Sequence, residues 1–248
     1  MLITRNLKMA DVIHMDYTLL PTINRFGISL GYGEKTVEEI CQKHSVNVDF
    51  FLEVINSFHD KNYFPEKKFR AFSLKYIIDY LKNAHKSYLE YKVPKIERLI
   101  DKLVEVSDLK KQTFLLLKNF FQEYVNELKI HIKREEEEVY PYIINLEKSF
   151  LDKKIPKKLQ EKLQVYSIGK YEKEHDNIEE KLFDLKNILI KYVPMQKNNN
   201  LCNNILSELF KLEEDIKEHS EMEERVMIPQ VKAMEKALKT GKFDVEEI

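Results

Sequence analysis

The stretch HIKREEEEVYP, His131 to Pro141, and the stretch HSEMEERVMIP, His219 to Pro229, follow one pattern: a histidine, a glutamate four residues on and a proline ten residues on. On a helix, residues four apart share a face, with Cβ atoms about 5–6 Å apart. Each stretch therefore turns one imidazole and one carboxylate to the same side. The offset between the two stretches is 88 residues for the histidine, the glutamate and the proline alike, the regularity expected of an internal duplication.

Around these stretches the apolar residues recur at helical spacing over roughly 73–104, 109–146, 157–192 and 200–239, with breaks at SDLKKQ, SFLDKKIP and VPMQKNNN. Each of the four segments carries one histidine, at 85, 131, 175 and 219, at intervals of 46, 44 and 44 residues. Four long helices with short connections predict an all-α chain built on an up-down-up-down four-helix bundle. A helix rises about 1.5 Å per residue, so histidines one helix plus one loop apart come to a common level. Pro94, inside the first segment, removes a backbone hydrogen bond and is expected to kink it.

Upstream, residues 8–58 read as short helices. Gly27 ends the first, TVEEICQKH starts the second with a Thr cap and a Glu three residues on, and VNVDFFLEVINSF is a third. HDKNYFPEKKFRA lacks periodicity and reads as a linker. The expected organisation is a small helical N-terminal domain over 1–65 and the bundle over 70–248.

Composition agrees with long helices, since 248 residues include only five Gly and seven Pro. Lys and Arg number 41 against 42 Asp and Glu, so no net charge recruits a nucleic acid. No apolar run approaches the roughly 18 residues that a membrane span needs, and the first residues lack the pattern of a signal peptide. The expected location is the cytoplasm. Cys41 and Cys202 are isolated, which leaves nitrogen and oxygen as the metal-ligating atoms. No nucleophile elbow or phosphate-binding loop is present.

A single histidine on an apolar helix face is usually a packing residue. Four at one level with two carboxylates on the same faces are different, because a dry core would have to bury anions and ring nitrogens without partners. Metal ions supply the partners. Four imidazoles and two carboxylates exceed one tetrahedral zinc and are too nitrogen-rich for Mg²⁺ or Ca²⁺. They suit two first-row ions, and the expected cofactor is a pair of iron ions with a bridging oxygen, oxo or hydroxo, and some coordination positions open.

With His85, the HIKREEEEVYP and HSEMEERVMIP pair and EHD at 174–176, the chain resembles the hemerythrin-like cation-binding domain, and within it the di-iron proteins of iron-sulfur cluster repair. YIIDYLKNAHKSYLEYKVPKIERL, residues 76–99, is similar to that family's first bundle helix, proline included. The resemblance implies that His85, His131, His175 and His219 are terminal iron ligands and that Glu135 and Glu223 are the bridging carboxylates. MADVIHMDYTLLPTINRFGISLGYGEKTVEEIC is similar to the short N-terminal domain of the same proteins, except that Leu30 and Gly31 stand where the family shows adjacent cysteines.

The resemblance implies a di-iron protein serving repair of iron-sulfur clusters damaged by oxidative or nitrosative stress, with damaged iron-sulfur proteins as acceptors. The alternative is binding or sensing of oxygen or nitric oxide, or reduction of nitric oxide, at the same centre. Tyr124 and Tyr171 are candidates to line the site, and Glu179 is a candidate further carboxylate. Glu136, Glu137, Glu138 and Glu224 read as solvated, and His14, His44 and His59 as packing or surface residues.

Overall fold

The computed structural model describes residues 1–106, 111–173, 178–192 and 199–241; at 111–113, 173, 178, 179, 192 and 199 it describes the backbone. Every element among the described residues is helical, and no strand occurs among them. None of these helices is long and apolar enough to cross a membrane.

The N-terminal elements are α1 (Met9–Met15), α2 (Leu20–Arg25), α3 (Val37–Lys43), α4 (Val48–His59) and α5 (Glu66–Arg70). Gly27, at φ +73°, turns the chain out of α2, as its position in the sequence predicts. At α3 the expected cap forms in full: the Thr36 hydroxyl accepts from the Glu39 N–H at 3.2 Å, and the Glu39 carboxylate accepts from the Thr36 N–H at 2.7 Å. Met9, Val12, Ile23, Val37, Ile40 and Phe51 form the core between these short helices.

The stretch read as a linker contains α5. Its Phe69 is fully buried, 6.3 Å ring to ring from Phe50, which also meets Phe72 edge-on at 5.3 Å. The aromatic residues of HDKNYFPEKKFRA lack helical period, yet Phe69 finds a hydrophobic seat, and burial rather than propensity holds this short helix.

The longer elements are α6 (Leu74–Ser87), α7 (Val93–Glu105), α8 (Lys111–Arg134), α9 (Tyr140–Leu151), α10 (Lys157–Val165), α11 (Ile168–Lys173), α12 (Ile178–Tyr192), α13 (Asn199–Met222) and α14 (Ile228–Thr240). The segment expected as one helix over 157–192 is interrupted between α10 and α11, where Tyr166 is extended. Of the described residues, those within Met1–Ala84, Leu146–Ile155 and Met222–Ile248 form one compact unit, and those within His85–Asn145 and Pro156–Glu221 form another.

Three π-helical turns, Tyr88–Lys92, Glu135–Val139 and Glu223–Met227, join α6 to α7, α8 to α9 and α13 to α14. In each, the N–H five residues on closes the turn: Val93 donates to the Tyr88 carbonyl, Tyr140 to Glu135 and Ile228 to Glu223. The next residue in every case is proline, Pro94, Pro141 or Pro229. A proline has no N–H for the carbonyl four residues back, and its ring presses on that oxygen. Widening the turn relieves the contact, so the expected kink at Pro94 takes the form of a π turn just before it.

In the unit that includes Met222 onward, the carbonyl that Pro229 cannot serve belongs to Arg225. It accepts instead from Arg70 Nη2 at 3.1 Å. The Arg225 guanidinium bonds Glu66 Oε1 through Nε at 2.9 Å and Nη2 at 2.8 Å and lies 4.1 Å over the Phe64 ring. α5 thereby braces the third π turn.

In the other unit α7 and α8 pack together, as do α8 and α12. The ion pairs give their directions. Asp101 of α7 pairs with Lys118 of α8 at 2.6 Å, while His85 meets Glu136, so partners descend as residue numbers ascend. Glu127 of α8 likewise meets Lys181 of α12 while Tyr171, ten residues earlier, meets Glu135, and Lys95 of α7 meets Glu208 of α13 at 2.9 Å. Tyr88 donates to the Asp215 carbonyl at 3.0 Å, and Lys92 pairs with the Asp215 carboxylate. These neighbours run antiparallel.

The start of α6 depends on a residue far along the chain. Buried Glu147 accepts from the Leu74 N–H at 2.7 Å and from the Ser73 hydroxyl at 3.0 Å, satisfying an orphan donor of the first turn. Glu147→Ala is expected to lower stability by about 1–2 kcal/mol in urea titration, whereas Glu137→Ala, on an exposed side chain, is expected to change it by less than about 0.5 kcal/mol.

Candidate metal centre

Glu135 is the hub of the site. It opens the second π turn one helical turn after His131 and is fully buried. Its two oxygens face different imidazoles. Oε1 lies 2.9 Å from His131 Nε2 and also accepts from the Tyr171 hydroxyl, while Oε2 lies 3.1 Å from His85 Nε2. His85 Nε2 is in turn 3.3 Å from His219 Nε2. His85, Glu135 and His219 are all buried, and each offers a ligand atom within 4.8 Å of the other two. This group can hold a metal ion: two imidazole nitrogens and a carboxylate oxygen converge where water is largely excluded.

The six residues singled out in the sequence stand as follows. His85, His131, Glu135 and His219 lie in the same compact unit, linked by the contacts above. Glu223 is equally buried and opens the third π turn, four residues after His219. Its place as the counterpart of Glu135 rests on the duplication in the sequence. His175 lies outside the described residues, as does the side chain of Glu179.

The surroundings are aromatic. The Tyr140 ring stacks on His85 at 5.9 Å between centroids with 9° between planes, and Tyr88 lies 6.0 Å from His219. The π turn explains the first contact: a turn closed by an i+5 hydrogen bond brings Tyr140, rather than the residue four on, back over Glu135. Tyr171, a sequence candidate, is buried and bonds Glu135, and Tyr124 is buried against Phe121 at 6.2 Å. Sequence reasoning missed Tyr140 and Glu136. The available signal was the proline at 141, which fixes where the helix must widen.

The cysteines lie in surroundings that keep them unreactive. Burial pushes the Cys41 thiol up to about 12, and Glu38 adds to the shift. Cys202 is buried and raised by the same cause. At Gly31 the backbone has φ +103°, a conformation that side-chain-bearing residues rarely adopt. His59 Nδ1 lies 2.9 Å from Asp16 Oδ2, away from the histidines of the site.

No protein-family model matches the chain, and no curated protein matches its sequence.

Burial pushes the Glu135 carboxyl upward, but the bonds from His131 and His85 outweigh it and hold the group well below the usual carboxylate range. A carboxyl depressed by folding stabilises the fold above its unfolded pKa, about 4.3, and loses that contribution as the pH falls through its folded value. The metal-free protein is therefore expected to lose stability progressively below about pH 4 in denaturant titrations. Glu135→Gln, which has no carboxyl to titrate there, is expected to show a flatter acid limb.

Proposed function

We propose that this chain is a hemerythrin-like di-iron protein that serves the repair of iron-sulfur clusters damaged by oxidative or nitrosative stress. The observation that supports it most is the division of labour on Glu135, with one oxygen toward His131 and the other toward His85 and its neighbour His219. A carboxylate addressed on both oxygens by separate imidazoles suits two ions better than one. In this reading the antiparallel neighbours form a four-helix bundle, His175 and Glu223 complete the ligand set by the logic of the duplication, and iron is the metal. Two iron ions with open coordination positions supply binding of a small diatomic molecule, redox change, or release of iron to a damaged acceptor.

The chain's own residues prepare the site for that chemistry. Tyr171 holds Glu135 through a hydrogen bond to Oε1, leaving Oε2 toward His85. Tyr140 and Tyr88 shield the imidazoles, which lowers the local dielectric and strengthens charge interactions within the pocket.

The second reading is binding, sensing or reduction of oxygen or nitric oxide at the same centre. The burial of both thiols favours it, because neither Cys41 nor Cys202 is placed to carry metal or sulfur to a partner.

Protein prepared anaerobically with iron is expected to hold about two ions per chain as a magnetically coupled pair, and Glu135→Ala to retain less than about half of them. One tightly held zinc with no coupled iron pair would overturn the di-iron assignment. For repair, reduced protein is expected to return activity to an apo-cluster acceptor faster than iron in buffer does, and Cys41→Ser to leave that rate intact. A stable, reversible oxygen adduct without any transfer would decide for the second reading.

A further inference from the structure

Four consecutive glutamates, 135 to 138, follow His131 and Arg134, and the structure separates them into three environments. Glu135 is buried at the site, Glu137 and Glu138 are exposed, and Glu136 is half-buried with its carboxylate against the far side of His85. Glu136 Oε1 lies 2.9 Å from His85 Nδ1, while Glu135 Oε2 lies 3.1 Å from Nε2 of the same ring. Adjacent residues thus bracket one imidazole across both of its nitrogens, at the point where the helix widens into its π turn.

A neutral imidazole carries one N–H, and the partner of one nitrogen decides what the other presents. A carboxylate only accepts when ionised, so Glu136 draws a proton to Nδ1 of His85 while Glu135 competes for one at Nε2, the position that an ion in the site would take over. With a proton held at Nδ1 by Glu136, the Nε2 lone pair would be available to an ion shared with Glu135 and His219. Tyr140, stacked on the ring, fixes its plane, and Glu136 fixes its tautomer and its rotation within that plane.

We propose that Glu136 is a positioning residue of the metal centre, holding His85 as the Nδ1–H tautomer with Nε2 aimed into the site; as a statement about metal it rests on the reading of His85 as a ligand. Outer carboxylates of this kind typically contribute 10–100-fold to metal affinity. This assigns a function to a residue that its place in an acidic run would mark as solvated.

The test uses the full chain with ¹⁵N-labelled histidine and the variants Glu136→Ala, Glu136→Gln and Glu138→Ala. The first measurement needs no metal: ring ¹⁵N shifts of His85 in metal-free protein, above the pH at which imidazoles carry charge. The expected result is a proton held at Nδ1 in the parent chain and in Glu138→Ala, and an intermediate position in Glu136→Gln, whose neutral amide oxygen accepts more weakly than the Glu135 carboxylate at Nε2. Glu136→Ala is expected to move toward Nε2–H. The second is competition for Fe²⁺ against a chelator without oxygen, with affinity about 10–100-fold weaker in Glu136→Ala and less affected in Glu136→Gln. Unchanged shifts in Glu136→Ala would overturn the proposal, and so would a shifted tautomer with unchanged Fe²⁺ affinity. A tautomer shift in Glu136→Ala, with a parent chain that binds no Fe²⁺, would support the positioning of His85 and overturn the metal reading instead. Circular dichroism of each variant separates these outcomes from misfolding, and Glu136→Gln alone carries the comparison if Glu136→Ala does not fold.

Discussion

The buried carboxylate of Glu135 is the constraint to which the surrounding helices answer. An anion removed from water costs several kcal/mol unless its oxygens find donors or a cation. Here they meet His131 from its own helix, His85 from α6 and Tyr171 from α11, residues drawn from three separate parts of the chain. Each of those partners is itself buried and must be held by packing. The ion pairs and tyrosine contacts farther along, from Tyr88 and Lys92 on Asp215 to Lys95 on Glu208, fix the register that brings His85 level with His219.

The three π turns are the second element of this arrangement. Each stands immediately before a proline, and two begin at the glutamate of the duplicated pattern. At the second turn Glu135, Glu136 and Tyr140 all address one imidazole, two through its nitrogens and one through its face. The cost is the carbonyl that the proline leaves unserved. At Arg225 the cost is offset by Arg70, so the short helix α5 braces the turn that Glu223 opens.

The N-terminal helices bring packing rather than thiol chemistry. Cys41 is a core residue whose thiol stays protonated, and the Gly31 backbone is set for glycine.

The sequence by itself determined the helical class, the capping box at Thr36, the stop at Gly27 and the meeting of His131 with Glu135 one turn on. These depend on neighbours within about four residues, where helix geometry makes contacts predictable. The expected segment over 73–104 coincides closely with α6, its π turn and α7. Tertiary structure decided the rest. The burial of Phe69 turns a supposed linker into α5, and the break at Tyr166 divides a segment whose periodicity reads as continuous. It also decided which of the three glutamates after Glu135 braces a histidine and which face solvent. Identical side chains in one run differ only in what lies opposite them. For Glu136 that is His85, 51 residues away along the chain, brought there by packing that no local pattern encodes.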